Sequence, residues 1–152
     1  MKNEDSIKYM HMALQQAQLA KESGDLPFGA VIVCGDQVVG QGKCENGTTG
    51  DVTEHAEINA LRQACRNLYR NELNDCAIYC TNEPCAMCAA AIFQAKIPKI
   101  VVGLTREELP KLLRPRKILM KDLAEDSGYE INIEAGILKD EILEQFSNIK
   151  KK

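Results

Sequence analysis

No apolar run in this chain approaches the roughly twenty residues that a membrane-spanning helix needs, so no membrane partner is expected. No export signal is expected either, since residues 1–6 are polar and mixed in charge. There is no internal repeat, linker or low-complexity stretch, and residues 1–152 read as one domain. Excess positive charge is also lacking. The 19 Lys and Arg are outnumbered by 22 Asp and Glu, for a net charge of −3. No global basic field therefore recruits nucleic acid, and a polynucleotide partner is disfavoured.

Cysteine, by contrast, is plentiful, with seven residues. An odd number without an export signal makes a poor disulfide framework, and a reducing, cytoplasmic setting is expected. There Cys34, Cys44, Cys65, Cys76 and Cys80 read as small buried hydrophobes. Cys80 stays in view as a possible metal ligand because it lies close before Cys85.

Helical spacing of Ile7, Met10, Leu14 and Ala17 predicts a first helix over 6–23, closed by Gly24. Two strands, 28–33 and 38–42, flank the turn Cys34-Gly35-Asp36-Gln37, and a polar loop follows over 45–50. Asp51 with Glu54 fits a capping box, which predicts a second helix through His55 to about residue 67. A strand over 76–81 precedes a third helix that opens at Cys85 and ends before Pro98. Strands over 99–104 and 129–134 bracket two short helices, 106–113 and 118–125, separated by Pro115. A helix over 140–149 and a frayed tail at 150–152 complete the chain. Strands alternating with helices predict an α/β fold, a three-layer α/β/α sandwich on one mixed five-stranded sheet.

Two segments carry chemistry: Thr53-Glu54-His55-Ala56-Glu57 and Pro84-Cys85-Ala86-Met87-Cys88. His55, Cys85 and Cys88 are three zinc-type ligands, one short of the closed set that structural zinc usually takes. Cys85 and Cys88, at i and i+3, put both thiols on one face at a helix N-terminus, where a thiolate is favoured. Pro84 suits the residue before that helix. Two thiolates and a neutral imidazole roughly cancel Zn²⁺, leaving a Lewis acid able to bring a bound water toward a pKa of about 7. Glu57, with His55 in the first turns of the second helix, lies about 200° around that helix from it. It would reach the water rather than the metal and carry its proton. A structural zinc site completed by Cys80 is the competing reading.

This H-x-E…P-C-x-x-C order resembles the cytidine deaminase superfamily. Within it the chain is similar to the branch of guanine deaminases, yeast-type cytosine deaminases and bacterial tRNA adenosine deaminases. Likeness extends to Pro27-Phe28-Gly29-Ala30-Val31-Ile32-Val33, Ile97-Pro98-Lys99-Ile100-Val101-Val102-Gly103 and Glu134-Ala135-Gly136-Ile137-Leu138. The resemblance implies one zinc per chain, a homodimer, Phe28 walling the base pocket, Ala30 offering backbone contacts at its floor and Asn46 bonding the base. A turn residue is the other reading of Asn46, and a plain core residue that of Phe28. The third helix, apolar at Ala89, Ala90, Ala91, Ile92 and Phe93, agrees with packing across a two-fold axis.

From Lys111 to Lys121 the chain is basic, with Lys111, Arg114, Arg116, Lys117 and Lys121, and no acidic residue occurs from Leu109 to Lys121. A solvated face is favoured there over a phosphate-binding patch. The tRNA-editing members carry a glycine-rich stretch after their fourth strand, where this chain has Thr105-Arg106-Glu107-Glu108-Leu109-Pro110. The expected activity is therefore zinc-dependent hydrolytic deamination of a small-molecule free nucleobase or nucleoside, guanine or another aminated purine ahead of cytosine. tRNA adenosine-to-inosine editing is the first alternative and a non-catalytic zinc-stabilised binding domain the second.

Overall fold

Val31, Val33, Tyr79 and Val101 alternate along their strands with Ala30, Ile32, Ile78 and Ile100, and all eight are buried. Strands apolar on both faces need cover on both faces. The computed structural model, which describes residues 2–110, 113–147 and 149, supplies it. The chain runs α1 (Lys2–Glu22), β1 (Gly29–Cys34), β2 (Gln37–Lys43), α2 (Asn46–Thr49), α3 (Ala56–Leu68), β3 (Cys76–Asn82), α4 (Ala86–Gln94), β4 (Lys99–Leu104), a 3-10 turn (Arg106–Glu108), α5 (Met120–Asp126), β5 (Asn132–Ala135) and α6 (Lys139–Glu144). The sheet order is β2-β1-β3-β4-β5. β1 runs antiparallel to both β2 and β3, and β3, β4 and β5 are parallel.

One core joins Ala30, Ile32, Ile78 and Ile100 to α3, α4 and Met120 of α5; the other joins Val31, Val33, Tyr79 and Val101 to Met10 and Ala13 of α1 and Ile142 of α6. The three-layer α/β/α sandwich and the mixed five-stranded sheet agree with expectation. Emptying one core position, as in Ile92→Ala, is worth about 2–5 kcal/mol. α3 lies unusually close to the sheet. A Cβ on Gly40 or Gly42 would collide with α3 backbone at Ala60 or Ala56. The facing stripe of Ala56, Ala60 and Ala64 is fully buried.

Several boundaries differ from the sequence reading. α3 begins at Ala56, five residues after the expected cap. The Asp51 carboxylate is taken up two residues on, accepting from Thr53 N at 2.8 Å and Thr53 Oγ1 at 2.7 Å. That local turn competes with helix initiation, and His55 becomes the N-cap with extended backbone (φ −86°, ψ 157°). The expected polar loop contains the single turn α2, pinned by Asp25, which accepts from Thr48 N at 3.1 Å and from Thr48 Oγ1. The expected helix over 106–113 shrinks to a 3-10 turn, because Leu109 precedes Pro110 and adopts extended backbone (φ −67°, ψ 141°). β5 begins at Asn132 rather than Tyr129, whose hydroxyl instead donates to Ile97 O at 3.0 Å. α6 stops at Glu144 instead of running to 149. The tail at 150–152 and Lys111 lie outside the described residues.

Candidate active site

Two helix starts meet beneath the C-terminal end of β3. His55 caps α3 and Cys85 caps α4, both with extended backbone, and Cys88 sits in the first turn of α4. Asn59 N donates to His55 O at 3.0 Å and Ala89 N to Cys85 O at 2.8 Å, so each cap residue is fixed by its own helix. His55 Nδ1 lies 3.6 Å from Cys85 Sγ and 3.5 Å from Cys88 Sγ. Zinc–sulfur bonds of about 2.3 Å and a zinc–nitrogen bond of about 2.0–2.1 Å at tetrahedral angles place N and S roughly 3.5–3.6 Å apart. The donor set therefore fits zinc. Cys80, the candidate fourth thiol, is fully buried in mid-strand and outside this group.

The electrostatics follow from burial and mutual hydrogen bonding. Cys85 is pushed down to about 3, first because the Cys88 thiol donates to it and then because His55 does. Cys88 moves up for the same reason seen from the donor side, and burial adds to it. His55 is raised, chiefly by its bond to Cys85. Glu57 is only 3% exposed. Burial, and then the negative charge of Cys85, push its carboxyl up to about 7. It points with His55 and Cys85 into a cavity of about 350 Å³.

Phe28 lines that cavity and also packs against Phe146, ring centres 5.8 Å apart and planes tilted by 53°. Ala30 and Asn46 are not among the lining residues. Ala30 is fully buried in mid-sheet, paired with Gly42 on one side and Cys80 on the other. Asn46 opens α2, and its Oδ1 accepts from Cys44 Sγ at 3.2 Å. Sequence reasoning missed Asn82 and Arg106, which do line the cavity. Asn82 is 6% exposed at the end of β3. Its position was the available signal, because ligands in α/β sheets sit beyond the carboxyl ends of parallel strands. Glu83 turns away, accepting from Arg106 N at 3.0 Å and so capping the 3-10 turn. Arg114 and Arg116, expected on a solvated face, stand on the cavity wall with Arg106, whereas Lys117 is exposed and outside it.

Residues 3–104 match the family described as the cytidine and deoxycytidylate deaminase zinc-binding region. The chain belongs to this family. It is accordingly a deaminase, a hydrolase acting on a carbon–nitrogen bond, and zinc is its cofactor. The tRNA-specific adenosine deaminase of Buchnera aphidicola (subspecies Schizaphis graminum) is 34% identical to this deaminase over 149 residues, 98% of this chain and 95% of that one. A probable cytosine deaminase of Schizosaccharomyces pombe is 31% identical over 147 residues, 93% of this chain and 90% of that one. A solved structure from studies of A-to-I editing by tRNA:A34 deaminases at the wobble position of transfer RNA superposes with a TM-score of 0.79 at 29% identity, covering 91% of this chain and 98% of that one. Among the described residues no helix is long and apolar enough to cross a membrane.

Proposed function

We propose that this deaminase hydrolyses the exocyclic amine of a free nucleobase or nucleoside, an aminated purine such as guanine ahead of cytosine. His55, Cys85 and Cys88 hold one zinc ion, and Glu57 moves the protons. The observation that carries this reading is a buried carboxyl, Glu57, opening into the same 350 Å³ cavity as His55 and Cys85. Zinc, when bound, supplies Lewis acidity that brings a water toward a pKa of about 7. Glu57, itself held near 7, is suited to take that water's proton and give it up again at neutral pH. It passes the proton to a ring nitrogen of the base and later to the departing amine, which leaves as ammonia. The Phe28 ring offers the base a flat apolar wall, and the Asn82 amide offers one donor and one acceptor to its polar edge.

The acidic balance of the chain, −3, supports a small neutral substrate. Deamination of adenosine in tRNA is the second reading, favoured by Arg106, Arg114 and Arg116 on the cavity wall and by the 34% identical relative. Ammonia release from guanine, adenine, cytosine, their nucleosides and a tRNA transcript separates the two. Turnover of a free purine base or nucleoside is expected, and turnover of the tRNA alone would overturn the first reading. A homodimer belongs to the same proposal. α4 buries Ala89, Ile92 and Phe93 within its own chain, and it leaves Met87 37% exposed and Ala90 on the surface. Light scattering at micromolar concentration should return twice 16.9 kDa.

A further inference from the structure

Cys34 and Cys76, read from the sequence as inert buried thiols, are cross-strand partners. They face each other in the antiparallel ladder of β1 and β3, at its far end from the cavity. Facing residues put their side chains on one side of the sheet. Asp75, one residue before β3, adds a carboxylate. The Cys34 thiol donates to Asp75 Oδ2 and the Cys76 thiol to Asp75 Oδ1, each at 3.4 Å. All three donor atoms lie within 4.8 Å of one another. Tetrahedral zinc with a sulfur at about 2.3 Å and an oxygen at about 2.0–2.2 Å separates them by roughly 3.5–3.6 Å, so little movement is needed.

Arg70 completes the arrangement. Its Nη2 donates to Asp75 Oδ1 at 2.8 Å and to Oδ2 at 3.0 Å, and lies 3.8 Å from Cys34 Sγ. Its Nη1 donates to Glu72 O at 2.7 Å, which fixes the guanidinium in place. A carboxylate has about four lone-pair sites, so Asp75 keeps an acceptor position on each oxygen after binding Arg70. Two thiolates and a carboxylate carry three negative charges. A divalent cation leaves one, and Arg70 cancels it. Cys76 is buried, Cys34 half-buried and Asp75 exposed, so one wall is apolar and the carboxylate side admits an ion and a water. Burial and the bond to Asp75 push the Cys76 thiol up to about 12, so an arriving cation must displace its proton.

We propose that Cys34, Asp75 and Cys76 form a second binding site for a thiophilic divalent cation, zinc foremost, with Arg70 as its charge-balancing neighbour. The six residue steps from Cys76 to Asn82 along β3 put it about 20 Å from the catalytic cavity. Nothing in it depends on the deamination chemistry, so the two assignments fail separately.

The test counts metal. Protein reduced with a phosphine and equilibrated at about 10 μM free zinc should hold close to two zinc ions per chain by mass spectrometry of the metal, and Cys34→Ser close to one. Cys34 is the half-buried partner, so its replacement should leave the fold intact and turnover within a few-fold of wild type. A second measurement locates the site without a variant. Alkylation of Cys34, read by peptide mapping, should slow at least tenfold when zinc rises to 10 μM and should be indifferent to magnesium. Equal zinc content in wild type and Cys34→Ser, or alkylation of Cys34 unaffected by zinc, would each overturn the proposal.

Discussion

Gly42 of β2 lies against the backbone of Ala56, the first residue of α3, so closely that a Cβ on the glycine would strike the Ala56 carbonyl and the Ala60 amide. That contact fixes the depth at which α3 begins, and His55 and Glu57 flank Ala56. Gly42→Ala should therefore cost about 1–3 kcal/mol, the usual range for overpacking, and lower Tm by several degrees. The loss of kcat/KM should exceed what the unfolded fraction accounts for, because the proposed proton carrier and a proposed metal ligand move together. Thermal melts and kinetics on the same sample check this. A variant with lowered Tm and unchanged kcat/KM would separate the glycine contact from the site.

Metal binding and proton transfer are assigned to different residues, and substitutions should split them. Glu57→Gln should keep the fold and about one zinc at the catalytic site while losing at least about 10²-fold in kcat, the lower end for removing a general acid–base. His55→Ala or Cys88→Ala should lose that zinc. Metal content and single-turnover rates decide the matter. Substantial turnover by Glu57→Gln would remove it from the mechanism.

The proposed metal-binding and proton-carrying residues stood out in the sequence because each motif is short and needs only local geometry. His55 and Glu57 are two residues apart, and Cys85 and Cys88 share one helix turn. The layers were legible because both faces of the strands are apolar. The start of α3 was not, since Asp51 bonds to Thr53 rather than capping a helix, a choice between two local hydrogen bonds that composition does not make. Asn82 and Arg106 meet Phe28 only after β3, β4 and the segment before β1 have assembled. The pairing of Cys34 with Cys76 depends on strand register across 42 positions, and no spacing rule encodes it. That Arg114 and Arg116, exposed as expected, also line the cavity was hidden for the same reason, because a basic run reads alike whether it faces only solvent or a pocket as well.

Acid stability should depend on Glu108. Its carboxylate is held down to about 2, first by Lys139 and then by the amide and hydroxyl of Thr105, which donate at 3.0 and 2.9 Å. A carboxyl whose folded pKa lies below its unfolded value stabilises above the unfolded value and loses that effect as pH falls through the folded one. Glu108→Gln should thus melt below wild type at neutral pH. The gap should close as pH falls from about 4.5 to about 2. An equal gap at pH 2 and pH 7 would mean that the charge of Glu108 contributes nothing.

Arg106, Arg114 and Arg116 on the cavity wall set small-molecule turnover against RNA editing. Arg106 also ties the wall together, since its Nη2 donates to Arg114 O at 2.7 Å, so the informative reversals are Arg114→Glu with Arg116→Glu, both exposed. A neutral base releases no counterions on binding. Its kcat/KM should stay within a few-fold in the double reversal and change little between about 50 and 200 mM salt. An RNA gripped by six or more phosphate contacts would instead lose roughly 10³-fold or more over that salt range, and the reversal would flatten the slope while abolishing turnover. The two outcomes differ by orders of magnitude in the same assay. The acidic balance of the chain favours the first, and a steep salt dependence erased by the reversal would assign the arginines to a nucleic-acid backbone.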